Sequence, residues 1–230
     1  MRGLGAGSDW SASPAARLEK PAHSAVYQVL LNVAAGPDEF GFKIADNDPP
    51  GGYNDGTNCG STTALTIGQP LPLACQGPGN DNIQVNFPSA GVYSFSLDAT
   101  VTSAPKLTVQ KPPYPRNLFI RGLGAGSDWS ANPDYRLEFK GGTVYESFRM
   151  VAAGADEFGF KIADNDPPNG YNDGTNCGAT TALTIGQALT LACTGPGNDN
   201  IQVTFPTTGI YRFRLDAANP AAPQLTVTGP

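Results

Sequence analysis

Gly209-Ile-Tyr-Arg-Phe-Arg-Leu215 places an aromatic or aliphatic residue at every second position, and Gly91-Val-Tyr-Ser-Phe-Ser-Leu97 does the same with serines on the alternate side. Successive side chains leave a strand on opposite faces, so a period of two predicts strands buried on one face and wet on the other. The two stretches also match each other, which predicts a duplication. Working outward, Arg2-Gly-Leu-Gly-Ala-Gly-Ser-Asp-Trp10-Ser11 recurs as Arg121 through Ser130, and Glu39-Phe-Gly-Phe-Lys-Ile-Ala-Asp-Asn-Asp-Pro-Pro50 recurs as Glu157 through Pro168. Gly77-Pro-Gly-Asn-Asp-Asn-Ile-Gln-Val85 recurs as Gly195 through Val203. A unit of this length is a whole domain rather than a solenoid repeat.

Each copy carries further strand signals. Val26–Val33, Phe40–Ile44, Asn82–Phe87 and Lys106–Val109 are matched by Val144–Val151, Phe158–Ile162, Asn200–Phe205 and Gln224–Val227. They are short, rich in β-branched and aromatic residues, and separated by Gly, Pro, Asn and Asp. The 28 glycines and 21 prolines fit a chain of many short strands and turns. No helical periodicity of useful length interrupts them. The expected fold is all-β: two tandem immunoglobulin-like β-sandwich domains, residues 1–111 and 112–230, joined by a stiff Gln110-Lys-Pro-Pro-Tyr-Pro115 linker. Asn117-Leu-Phe-Ile120 opens the second copy as a strand, whereas only Met1 stands at the equivalent place in the first. Two readings stay open: the sequence starts part-way through that copy, or the vacant position self-associates by taking a strand from another chain.

The four cysteines fall two per copy, Cys59 with Cys75 and Cys177 with Cys193. Equal spacing, an even number and no Cys-x-x-Cys predict one disulfide per copy, and hence an extracellular or periplasmic setting. A net charge of −6 and a pI of about 4.6 argue against nucleic acid and against an anionic membrane surface. No run of apolar residues is long enough to span a membrane as a helix. Behind Met1 there is no apolar leader, so the expectation is a processed chain or a piece of a longer one.

Catalysis is poorly motivated. His23 is the single histidine, it occurs in the first copy only, and the second copy has Gly-Gly-Thr near that place. The acidic pairs Asp38-Glu39 and Asp156-Glu157 are neighbours in sequence, so their side chains diverge and make poor acid/base couples. The chain is expected not to be an enzyme. Trp10 and Trp129 sit in Gly-Ser-Asp-Trp-Ser loops, where an indole either caps the core or offers a flat face to a sugar ring, with Asp9 or Asp128 accepting from its hydroxyls. The segment from Ala45 to Cys59, matched by Ala163 to Cys177, is rich in carboxylates and amides. Asp46, Asp48 and Asp55, with Asp164, Asp166 and Asp173, supply oxygens that suit calcium, and Asx turns explain the same residues with no metal. No cofactor is required; Ca²⁺ stays open. Tyr53 and Tyr171 in this segment form a second candidate stacking platform.

In order, Leu118-Phe-Ile-Arg-Gly122, Ser127-Asp-Trp129-Ser130, Val144-Tyr145, Ala152-Ala-Gly154, Glu157-Phe-Gly-Phe-Lys161-Ile-Ala-Asp164, Gly209 to Ala217 and Pro223 to Val227 resemble the early-set starch- and glycogen-binding β-sandwich modules appended to amylases, pullulanases and branching enzymes. The resemblance implies that Trp10 and Trp129 stack on glucose and that Lys43 and Lys161 contact sugar. The family's second tryptophan is missing; the long Asp/Asn/Pro/Tyr segment stands in its place, where Tyr53 and Tyr171 are the available aromatics. The implied function is non-catalytic binding of a polysaccharide, an α-glucan, by two tandem modules. The rival reading is a structural subunit of an extracellular fibre or surface layer built by β-strand addition. An α-glucan binder is expected to be monomeric and a fibre subunit is not.

Overall fold

A computed structural model describes the chain except for residues 6–9, 12, 21–23, 47–56, 76–80, 125–128, 165–173 and 194–198. It is all-β, with only short 3-10 turns such as Pro14–Ala16 and Pro133–Tyr135 besides strands among the described residues. Contacts group the chain into two units, Met1–Lys111 and Pro112–Pro230.

In the second unit eight antiparallel strands run in the order Asn176–Cys177, Lys161–Asp164, Leu118–Arg121, Arg136–Gly141, Val144–Val151, Gly209–Asp216, Gln224–Thr228 and Ala188–Thr190. The expected alternation is present: Tyr211, Phe213 and Leu215 are buried, while Ile210 and Arg212 face out. Leu118–Arg121 is the hinge of this order. It pairs with Arg136–Gly141 on one side and Lys161–Asp164 on the other, so it joins two groups of strands around one core containing Leu118, Ile120, Phe160, Ile162, Phe213 and Leu225.

Among the described residues the first unit has no such hinge. Val26–Val33, Gly91–Asp98, Lys106–Gln110 and Leu71–Pro72 form a four-stranded sheet, while Ile44–Ala45, Asn58–Gly60 and Ala74–Cys75 form a separate three-stranded one. The only trace of the opening strand among the described residues is the bridge between Arg2 and Lys43.

Both units lock a tyrosine to the backbone four residues upstream: Tyr93 Oη donates to the Ser89 carbonyl at 3.0 Å and Tyr211 Oη to that of Thr207 at 2.9 Å. A buried phenol needs such a partner, and antibody-like sandwiches use the same device at a sheet corner. Both predicted disulfides form, Cys59–Cys75 and Cys177–Cys193, each cross-linking the chain after the long acidic segment to its antiparallel neighbour, with Cys59 directly opposite Cys75 and Gly178 bridged to Ala192. Bonds of this kind persist in oxidising compartments.

Three expectations change. Phe40–Ile44 is not one strand: Gly41 takes a φ of 67° and its N–H donates to the Asp38 carbonyl, so residues 38–41 turn and only Ile44–Ala45 is a strand. Asn82–Phe87 shortens likewise to Asn86–Phe87 with single bridges at Ile83 and Val85. The proline-rich join is not all linker, because Tyr114 is buried in the core of the second unit.

Candidate functional site

Each tryptophan loop folds back on its own beginning. Gly3 and Gly122 have φ of 82° and 87°, a region that side chains disfavour. A Cβ built on Gly3 would meet the six-membered ring of Trp10 at 2.7 Å, and one on Gly122 would meet Trp129 at 2.5 Å. Glycine is therefore needed twice over, for the turn and for the ring that lies across it. Trp10 and Trp129 are partly exposed in this position, neither sunk in the core nor free in solvent.

Two buried side chains hold the loop. Arg2 pairs with Lys43 across the strands, which puts both side chains on one face. From there Arg2 Nη1 donates to the Trp10 carbonyl at 3.1 Å and Nη2 to the Asp46 carbonyl at 2.5 Å. One guanidinium thus ties the tryptophan loop to the base of the acidic segment. In the second unit Arg121 and Lys161 are the corresponding pair, and Arg121 is fully buried. The second anchor is Asp38, whose Oδ1 accepts from the Gly5 N–H at 3.3 Å; Asp156 does the same for Gly124 at 3.1 Å. Burial raises both carboxyls above their ordinary value, and the backbone N–H opposes that rise. Their other oxygens are buried with no hydrogen-bond partner among the described residues. Glu39 and Glu157, next in sequence, are exposed, so the acidic pairs diverge.

Lys43 and Lys161 are each only 5% exposed. Burial lowers both ammonium groups, and Asp81 and Asp199 pull in the opposite direction. Any contact with a ligand is confined to the tip of the chain. Asp46 and Asp164 close the base of the acidic segments: Asp46 Oδ2 accepts from the Thr57 N–H at 2.7 Å and Asp164 Oδ2 from that of Thr175 at 2.9 Å. Asp164 also pairs with Arg116 at 3.5 Å. Among the described residues no three ligands gather as a metal site. Tyr53, Tyr171, Asp48, Asp55, Asp166, Asp173, Asp9, Asp128 and His23 lie outside the described residues.

One pair of aromatics escapes a reading of the sequence. Phe40 and Phe158 are 44% and 47% exposed, an unusual state for phenylalanine. Each sits on the turn two residues after the aspartate that holds the tryptophan loop, and Asn82 or Asn200 Nδ2 donates to its carbonyl at 2.8 Å. A cleft of about 620 Å³ in the first unit, lined by Gly3, Leu4, Gly5, Val33, Asp38 and Phe87, lies beside the same loop.

No family model matches the chain, and no curated protein does. Among solved structures, the chain is similar to one described as "Ligand induced structure of AmyP-SBD", with a TM-score of 0.37, 24% identity, and coverage of 52% of this chain and 75% of that one. Similarity this low is no guide to fold or to ligand.

Proposed function

We propose that this protein is a non-catalytic carbohydrate-binding protein of the extracellular or periplasmic space, each unit of which binds an α-glucan chain. The single observation that supports the reading is the indole laid across Gly3 or Gly122 and left partly exposed. A ring supported on one side by backbone is already ordered, so stacking a sugar on it costs little further entropy. The ligand's C–H bonds meet the π face, and its hydroxyls find donors and acceptors nearby. Phe40 and Phe158 supply a second apolar surface at the same end, on the turns that Asp38 and Asp156 anchor to the tryptophan loops. The tips of Lys43 and Lys161 supply donors.

Affinity electrophoresis in soluble starch tests the reading. The chain is expected to be retarded, less so with Trp10→Ala or Trp129→Ala, and not at all with both. Unretarded migration of a folded chain in starch, glycogen and pullulan gels would sink it, as would retardation indifferent to both substitutions.

A further inference from the structure

The cleft beside the Trp10 loop is lined by Ala16 of the Pro14–Ala16 turn and by Leu31 of the strand Val26–Val33. The repeat puts Tyr135 where Ala16 stands and Arg149 where Leu31 stands. Those two larger side chains meet. Arg149 Cζ lies 5.1 Å from the centre of the Tyr135 ring, Nε donates to Ser147 Oγ at 2.9 Å, and Nη2 donates to the Arg136 carbonyl at 3.4 Å. The second unit therefore bridges its 3-10 turn to its strand with an aromatic ring that carries a cation on its face. Alanine and leucine are too short to meet in this way, and the first unit keeps about 620 Å³ open there. The strand that opens the second unit has no part in the difference. Leu118 and Phe119 pair with Leu137, Arg136, Asp164 and Ala163, whose repeat partners Leu18, Arg17, Asp46 and Ala45 do not line the cleft.

The charged side chains on the cleft are both acids, Asp38 and Glu39; among the described residues no lysine, arginine or histidine lines it. Glu39 is exposed. Asp38 is buried, with one oxygen on the Gly5 N–H and the other without a hydrogen-bond partner among the described residues. A carboxylate so poorly solvated gains from a cation held nearby, even one that does not touch it, because its surroundings screen weakly. Most of the remaining wall is apolar, with Leu4, Leu31, Val33 and Phe87 contributing. We propose that the cleft of the first unit is a binding site for a small organic cation with an aromatic body, of the arylalkylamine class. The ring of the ligand lies between Ala16 and Leu31, taking the part that Tyr135 plays in the second unit. Its ammonium lies toward Asp38 and Glu39, supplying the positive charge that Arg149 supplies there. An apolar cleft with a few charged groups at one end suits a ligand of this size and chemistry. A sugar is the poorer occupant, since aliphatic walls leave its hydroxyls without partners. The site is separate from the exposed indole and does not depend on the α-glucan reading.

The probe is phenethylamine, titrated into the full chain by calorimetry and followed by 15N NMR. A single molecule is expected to bind per chain with a Kd below about 1 mM, shifting the amides of Leu4, Ala16, Leu31 and Val33 and leaving those of Tyr135 and Arg149 in place. Phenethyl alcohol, which keeps the ring and loses the charge, should bind at least about tenfold more weakly, and hydrocinnamate should not bind. Combining Ala16→Tyr with Leu31→Arg imports the pair that the second unit already carries and should abolish binding. Asp38→Asn combined with Glu39→Gln should weaken it at least about tenfold. Four results would overturn the proposal: no binding at about 10 mM amine, equal affinity for amine and alcohol, shifts confined to the second unit, or undiminished binding by a folded Ala16→Tyr/Leu31→Arg chain. The three small molecules are compared on the unaltered protein, so they decide the matter even where a variant misfolds.

Discussion

At the residue scale, the most constrained positions are glycines. Gly122 has both a positive φ and an indole where its Cβ would stand. Gly122→Ala is expected to cost about 1 kcal/mol or more and to shift Trp129 fluorescence to the red as the ring is pushed out, read by denaturant titration and emission spectra. Gly124, with φ 95° and nothing near its absent Cβ, should tolerate alanine with a smaller loss and no spectral change. Asp156 gives a pH signature. Burial raises its folded carboxyl above the ordinary value of 3.8, so the folded chain holds that proton more tightly than the unfolded chain. Stability from this group is therefore greatest below the ordinary value and declines as pH rises through the shifted one. Asp156→Asn keeps an oxygen acceptor for Gly124 and removes the charge. Its stability relative to wild type should rise as the pH climbs from below the ordinary carboxyl value through the raised one, the opposite of what a carboxylate held by an ion pair would show.

At the element scale, the disulfides and the tyrosine corners are the separable contributions. Replacing Cys177 and Cys193 by alanine should cost about 3 kcal/mol, measured by chemical denaturation, because the closed loop no longer restrains the unfolded chain. Tyr211→Phe removes one buried hydrogen bond to the Thr207 carbonyl and should cost about 1 kcal/mol. The long strands were legible in sequence: Val26–Val33 and Val144–Val151 stand as read, Gly91–Leu97 and Gly209–Leu215 each extend by one aspartate, and the period of two is clearest where Tyr211, Phe213 and Leu215 are buried. Glu-Phe-Gly-Phe misled, since alternation on paper does not reveal that Gly41 and Gly159 turn the chain and leave Phe40 and Phe158 outside. Arg136–Gly141 was not among the expected strands, although Leu137 and Phe139 alternate there with Arg136, Glu138 and Lys140. Its role depends on pairing with Leu118–Arg121 and Val144–Val151, a non-local fact that local composition does not carry.

At the scale of the whole molecule, the two units share most of a sequence pattern but not a core. The second unit buries Leu137 and Tyr145, whose counterparts in the first, Leu18 and Tyr27, are half-buried. Calorimetry is expected to resolve two unfolding transitions, the lower belonging to Met1–Lys111; a single sharp transition would show instead that the units unfold as one. Of the candidate site, the tryptophan loop was legible from its motif alone. The arginine that organises it stands in the same motif and gives no sign of its role, because a guanidinium that satisfies backbone carbonyls looks in sequence like any surface charge.

The strand Leu118–Arg121 has neighbours on both sides, and its partner position in the first unit is a single bridge. In deuterated solvent that difference becomes a clock. Amide protons along this strand should be among the last in the protein to be replaced, since releasing them requires the second unit to open as a whole. Those of Ile44 and Ala45 should be replaced through a small local opening, long before.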